Sequence, residues 1–386
     1  MAAPPISLSL DPRIDRLRGL LAIGVLLGHA IDLARLSTPN PSGTLFSIAG
    51  ATRPFFGFVC VVGFIALSGY CIVRSTRRGF APVSYAVMRV TRVYPLLIVA
   101  ALLTGLLEWI ALDDPNRPFM WILPRDGRDV KRFVAALLGL SGFKEPFGAL
   151  SPAYTISFEL FYYAIWGLAM TAAAGRGRRA LLIASAAAIV FMVFGARMQA
   201  SLGWFAGFLP IAGIAVLPGW LLGAALALEE GRLTRIARRV PTWLTWIVFV
   251  WLVAYAHDAF NLPIDIPGNG YLTFAYFAVL SGLFLTVVAA WLARPDPAPR
   301  ASDTWLGEMS YPLFLMHGPA IIAVQFALNT AGVRLPFAAN LAILLAAAFA
   351  AAMVTLICVE RPVMAWRRRL RPRRAPAAAP LAEAAT

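Results

Sequence analysis

Residues 15–32 read DRLRGLLAIGVLLGHAID, and this stretch decides how the chain is read, because it carries charge and an imidazole into a run otherwise suited to lipid. In a helix turning about 100° per residue, Arg18 and His29, eleven positions apart, project within about 20° of each other and about 16 Å apart along the axis. Asp15, Ala22 and Val25 fall on the same stripe. An ionisable group near the middle of a span costs at least about 2.5 kcal/mol on insertion scales, so it faces a bundle interior or a wet cavity rather than lipid. His29 is therefore the first candidate for chemistry.

Working outward, 60% of the 386 residues are hydrophobic and 14% are charged, whereas soluble domains are about 45 to 50% apolar. Stretches of about 20 apolar residues, each enough for one span, lie roughly at 17–36, 55–73, 93–112, 151–173, 180–196, 204–228, 242–258, 270–293, 305–328 and 338–360. They predict an all-α polytopic membrane protein with about ten transmembrane helices and no room for a sizeable soluble domain. Residues 1–365 read as one integral-membrane domain, and 366–386, basic and then Ala/Pro-rich, as a disordered tail.

The net charge of +15 does not indicate nucleic acid, because its arginines alternate between connections, as positive-inside topology requires. Clusters at Arg13/Arg16/Arg18, Arg74/Arg77/Arg78, Arg176/Arg178/Arg179, Arg232/Arg235/Arg238/Arg239, Arg294/Arg300 and from Arg367 onward put both termini in the cytoplasm. Residues 37–54, rich in turn formers, read as an extracytoplasmic loop. The connection at 113–150 departs from the charge alternation and includes FVAALLGLSGF (133–143), too short to span and read as a re-entrant or interfacial helix. Cys60, Cys71 and Cys358 have no paired spacing, so neither a disulfide framework nor a metal site is expected. The first apolar run is long and carries His29 and Asp32 where a cleavage site would lie, so it reads as an uncleaved span.

Three further stretches carry ionisable groups. In SYAVMRVTRVYP (84–95), Arg89 and Arg92 share a helical face at the membrane edge, with Pro95 expected in the first turn of the third span. A basic face there suits anionic lipid head groups equally well. In SPAYTISFELFYYAIW (151–166), Glu159 lies about two turns into the fourth span with Thr155 and Tyr163 on its face. In WLGEMSYPLFLMHGPA (305–320), Ser310 and His317 share a face, with His317 at mid-membrane depth. His257 and Asp258 read as a solvated pair at the outer end of the seventh span.

Taken in order, these motifs resemble the integral-membrane acyltransferase-3 family, whose members move acyl groups from cytoplasmic acyl-CoA to cell-surface or exported glycans and some macrolides. The opening Asp-x-x-Arg followed by ten residues and His matches Asp15, Arg18 and His29. LSGY matches at 67–70, including Ser68. Arg-x-x-Arg matches Arg89 and Arg92, with Tyr94 and Pro95. TISFELFYY carries Glu159 and Tyr163, SYPLFLMHGP carries Ser310, Tyr311 and His317, and ERP matches Glu360 to Pro362. The resemblance implies an acyl-CoA-dependent O-acyltransferase of the inner membrane. Acetyl-CoA is the expected donor, and a glycan or lipid-linked sugar the expected acceptor.

Acyl transfer from a thioester to a hydroxyl needs a base, a polyanion site and support for the developing oxyanion. His29 is the expected base. Arg89 and Arg92 suit the CoA phosphates, and Arg18, oriented by Asp15, suits the pantetheine or pyrophosphate. Glu159 can orient an imidazole or bind acceptor hydroxyls. His317 can donate to the oxyanion or carry the acyl group in a relay, and Ser68, Tyr94, Tyr163, Ser310 and Tyr311 are expected to contact substrate. The rival reading is a transporter or flippase for a sugar-linked lipid, with the same intramembrane His, Arg and Glu forming a path. Internal repeats would mark it, and the flanks of His29 and His317 differ.

Overall fold

The computed structural model describes residues 11–38, 42–77, 79–111, 129–142, 147–202, 204–241, 243–248, 250–251, 270–294 and 300–369. The described residues are helical and turn structure with no strand. In chain order the helices are α1 (Pro12–Ser37), α2 (Thr44–Thr52), α3 (Phe58–Thr76), α4 (Pro82–Ile110), α5 (Asp129–Leu137), α6 (Tyr154–Ala172), α7 (Gly177–Leu202), α8 (Trp204–Leu228) and α9 (Glu230–Ala237). They continue with α10 (243–248), α11 (Gly270–Leu292), α12 (Ala301–Thr330), α13 (Phe337–Thr355) and α14 (Arg361–Arg369). Among the described residues, five helical stretches are long and apolar enough to cross a membrane: Pro12–Ser37, Val59–Thr76, Pro82–Ile110, Ala301–Thr330 and Phe337–Arg367. About ten were expected. Two further apolar helices, Val216–Leu228 and Phe277–Leu292, are shorter, and most of the expected seventh span, with His257 and Asp258, lies outside the described residues.

Helix starts are set by local chemistry. Asp11 caps α1 by accepting the Arg13 amide at 2.9 Å, and Pro12 takes the first turn, where no amide is needed. Pro82 does the same for α4, so that helix begins well before its apolar run. Pro95 is consequently interior to α4, not in its first turn as its place at the start of the apolar run suggests. Its missing amide leaves the Thr91 carbonyl without its usual ladder donor. Residues expected to form a plain outer loop also fold into α2 and a 3₁₀ turn, Arg53–Phe55. Packing explains this, since Phe46 meets the Phe337 ring edge-on at 5.4 Å, and Arg35 donates to the Phe46 carbonyl at 2.7 Å. The short apolar piece at 133–143 contributes to α5, whose Phe133 packs on Phe147 at 5.4 Å beside α4.

The organising contact is between α1 and α12, which run side by side in the same direction. Arg16 reaches Asp303 with two hydrogen bonds of 2.7 and 2.8 Å, an offset of 287 positions. Gly19 lies against Leu306, where an added Cβ would come within 2.7 Å of the carbonyl oxygen. His29 meets His317 at an offset of 288. A constant offset over thirteen residues of α1, about 20 Å of helix, means that the Arg16–Asp303 pair and the glycine contact set the register that brings the histidines together.

Around this pair, α3 runs antiparallel to α1, with Gly24 against Cys60 and Gly28 against the Gly57 backbone. On its other side α3 packs on α8, where Gly69 and Gly223 each admit the partner's backbone. The largest apolar cluster lies there, around Tyr70, Tyr162, Trp166 and Trp220. A π turn, Leu356–Glu360, joins α13 to α14. The extra residue such a turn inserts rotates the faces of the helix after it, and here it delivers a buried Glu360.

Candidate active site

Helical periodicity builds a cavity of about 970 Å³ among α1, α3, α4, α6, α12 and α14. Each helix contributes residues three or four apart, which share a face. From α12 come Gly307, Ser310, Tyr311 and Phe314; from α4 come Ser84, Tyr85, Met88, Arg89 and Arg92; and from α6 come Thr155, Ile156, Glu159 and Tyr163. Along α3 the lining runs from Thr76 to Val61, about 22 Å of helix. The volume is at the upper end of the range for ligand and cofactor sites, about 300 to 1,000 Å³.

The cavity is basic. Arg18, Arg74, Arg89, Arg92 and Arg367 line it against Asp15, Glu159 and Glu308, and Glu308 already accepts Arg361 at 3.0 Å. Arg18 stands 3.9 Å from Asp15. Arg89 lies over the rings of Tyr85 and Tyr163, at 5.5 and 5.9 Å. Its buried Nε has no hydrogen-bond partner among the described residues. Arg92 stacks on Tyr311 at 5.0 Å and forms an ion pair with Glu360. Arg367 donates to the Met88 carbonyl at 2.9 Å and is buried. The sequence placed Arg367 in a disordered tail, but α14 continues to Arg369 because its amphipathic face has the cavity rim to pack on. Residues 370–386 lie outside the described residues.

Tyrosines frame the wall. Tyr163 lines the wall beside Glu159, one turn away on α6, and receives the Ser68 hydroxyl at 3.3 Å, while Tyr85 donates to the Tyr163 carbonyl at 3.0 Å. Tyr311 donates to the Val93 carbonyl at 2.7 Å, and Ser310 to the Gly307 carbonyl at 2.8 Å.

Beyond the inner end of the cavity sit the two histidines, their rings nearly parallel (5°), with His29 Nδ1 2.9 Å from His317 Nε2. Their tautomers are dictated by one carbonyl. His317 Nδ1 is 3.1 Å from the Leu313 carbonyl oxygen, which can only accept, so Nδ1 carries the proton. In the neutral ring Nε2 is then the acceptor, and His29 Nδ1 must donate to it. The other lone pair of the couple is on His29 Nε2, the nitrogen able to take a proton from a hydroxyl. The His317 imidazole is thus oriented by backbone, whereas Glu159 is on the cavity wall with Tyr163.

The structure therefore gathers Asp15, Arg18, Ser68, Arg89, Arg92, Glu159, Tyr163, Ser310 and Tyr311 in one cavity, with His29 and His317 beyond it. Tyr94 does not line the cavity. Its hydroxyl donates to the Leu138 carbonyl at 2.9 Å, holding the end of α5 rather than facing the cavity. Sequence reasoning missed Tyr85, Arg74, Arg367 and the partner role of Glu360. For Tyr85 the signal was available, since it lies four residues before Arg89. For Arg367 and Glu360 it was not, because both are positioned by the π turn.

The site is thus a basic cavity that ends about one helical turn short of an imidazole pair. The family profile described as an acyltransferase domain, that of acyltransferase family 3, matches residues 11–359. The chain belongs to this family of membrane acyltransferases. No curated protein and no solved structure matches it.

Proposed function

We propose that the protein transfers a short acyl group, acetyl foremost, from cytoplasmic acyl-CoA to a hydroxyl of a cell-surface or exported glycan or a lipid-linked sugar, within the cytoplasmic membrane. The observation that carries this reading is the unpartnered, buried Arg89 Nε in a basic cavity that ends next to the imidazole pair. A guanidinium fixed over two rings with a donor to spare is a site for phosphate oxygens, which accept from its planar fork. The cavity is long enough for an extended pantetheine arm to run from the arginines toward the histidines.

In this reading the acceptor oxygen attacks the thioester carbonyl while His29 Nε2 takes its proton. The C–S bond then breaks, the C–O ester bond forms, and the departing CoA thiolate takes the proton from the imidazolium. His317 keeps His29 in the productive tautomer by accepting from Nδ1. Glu159, with Tyr163 and Ser68, offers hydrogen-bonding groups to pantetheine or acceptor.

The test is transfer in oriented membrane vesicles with labelled acetyl-CoA supplied on one side. Label should enter glycan material when the donor is on the cytoplasmic side and be lost in His29→Ala. Equal transfer from the outer side, or full activity of a well-expressed His29→Ala protein, would sink the assignment. Mass spectrometry of surface glycans from a deletion strain should show the loss of one acyl group and so identify the acceptor.

A further inference from the structure

Between the cavity and the histidines stands a pair of phenylalanines that the catalytic reading does not use. Phe64 and Phe314 both line the cavity, and their rings meet edge-on at 5.7 Å. Phe314 also abuts the His317 ring, with centroids 6.1 Å apart. Along α12 the lining stops at Phe314, and His317 is three positions further on, about 4.5 Å of helix. Along α1 it stops at Arg18. The next residues on that stripe, Ala22 and Val25, are both 0% exposed, so no open groove leads up α1 to His29. The Phe314 ring thus stands between the inner end of the cavity and the His317 imidazole, with Phe64 packed against it.

We propose that Phe64 and Phe314 select the acyl group: they divide the donor cavity from the histidine pair, so that a short acyl group is presented to His29 and a longer one is stopped against the rings. This rests on the acyl-CoA reading above. The physical basis is packing. Interiors leave little void, and a chain longer than acetyl must occupy volume these rings already fill. Removing one ring leaves a space shaped for a few methylenes, whose burial is favourable.

The test uses the full-length protein in membrane vesicles from a deletion strain, with acetyl-, butyryl- and octanoyl-CoA labelled in the acyl group. Phe314→Ala and Phe64→Ala should raise the butyryl-to-acetyl ratio of transfer rates by about tenfold or more, the scale on which apolar pockets discriminate a methylene or two. Phe314→Leu should give a smaller shift in the same direction. Cavity integrity is read separately in a Cys358→Ser background through Cys71, which lines the cavity, as protection from maleimide by free CoA. Variants that keep this protection and transfer acetyl with an unchanged ratio overturn the proposal. So does loss of transfer from all three donors with protection retained, since the rings would then serve the chemistry itself. If Phe314→Ala loses protection, Phe314→Leu decides by the same ratio. Wild-type vesicles that transfer no acyl group, or in which CoA does not protect Cys71, overturn the acyl-CoA reading and this proposal with it.

Discussion

His29 Nδ1 lies 2.9 Å from His317 Nε2, joining residues 288 positions apart. The contact is asymmetric, because the Leu313 carbonyl fixes the proton on His317 Nδ1 and so directs the couple's other lone pair to His29 Nε2. In the proposed reaction one imidazole serves as the base and the other as the group that orients it.

His29→Ala should abolish transfer while leaving a folded membrane protein, a loss of about 10² to 10⁴-fold for a general base. His317→Ala should also be severe. His317→Gln should recover part of the loss, since its amide oxygen can accept from His29 Nδ1. Steady-state rates in vesicles check this. Equal inactivity of the Gln and Ala proteins, with a trapped acyl group on the wild-type protein, would replace the direct route by a relay through His317.

Much of this site was legible before the fold was known. Buried charge in a lipid-facing run has to be satisfied inside the protein, so Asp15, Arg18, His29, Glu159 and His317 stood out, and helical spacing put them on shared faces. What the spacing could not give was which faces meet. The His29–His317 pairing depends on the parallel register of α1 and α12, set by Arg16–Asp303 and by close approach at Gly19, and neither carries a local sequence signal. Tyr94 stands apart from the cavity for the converse reason: it sits two residues from Arg92 and therefore on another face of α4. Phe314 was invisible as a functional residue because an apolar side chain in an apolar helix looks like packing.

Arg89→Ala should raise the KM for acyl-CoA more than it lowers kcat, the signature of lost ground-state binding. Arg89→Lys should restore only part of the affinity, because an ammonium lacks the planar fork and stacks less well on Tyr85 and Tyr163. Unchanged acyl-CoA affinity in Arg89→Ala would leave the residue as an interfacial anchor.

Topology rests on the alternation of basic connections. Single cysteines at positions 77, 178 and 235 should react with an impermeant reagent from the cytoplasmic side only, and a cysteine at position 42 only from outside. Labelling of position 42 from inside would invert the orientation and move the donor cavity to the opposite face.

Gly28→Val should inactivate without unfolding. A Cβ at Gly28 would come within 2.7 Å of the Gly57 amide nitrogen, so a branched side chain has to push α1 from the Phe56–Gly57 turn. His29 would move with it. A shift of about 1 Å in a reacting group is enough for about a hundredfold loss. Normal expression with normal turnover would show that the turn yields instead.

The ion pair of Arg92 with Glu360 separates structure from binding at the donor site. Glu360 is 3% exposed and Arg92 21%, so the carboxylate is the more deeply committed partner and depends on the guanidinium for its compensation. Arg92→Ala leaves that carboxylate buried and unpaired, a change worth about 3 to 5 kcal/mol, and thermal unfolding of the detergent-solubilised protein should shift down accordingly. Adding Glu360→Gln removes the stranded charge and should recover most of the Tm. It should not recover acyl-CoA affinity if Arg92 also holds donor phosphate, because the guanidinium is still missing from the cavity wall. The single Glu360→Gln protein completes the test: with its counter-ion gone, Arg92 has more charge to offer the cavity, and the KM for acyl-CoA should fall or hold steady. A double variant with wild-type Tm and wild-type KM would make Arg92 a purely structural residue. An Arg92→Ala protein with an unshifted Tm would show that the pair contributes nothing to the fold.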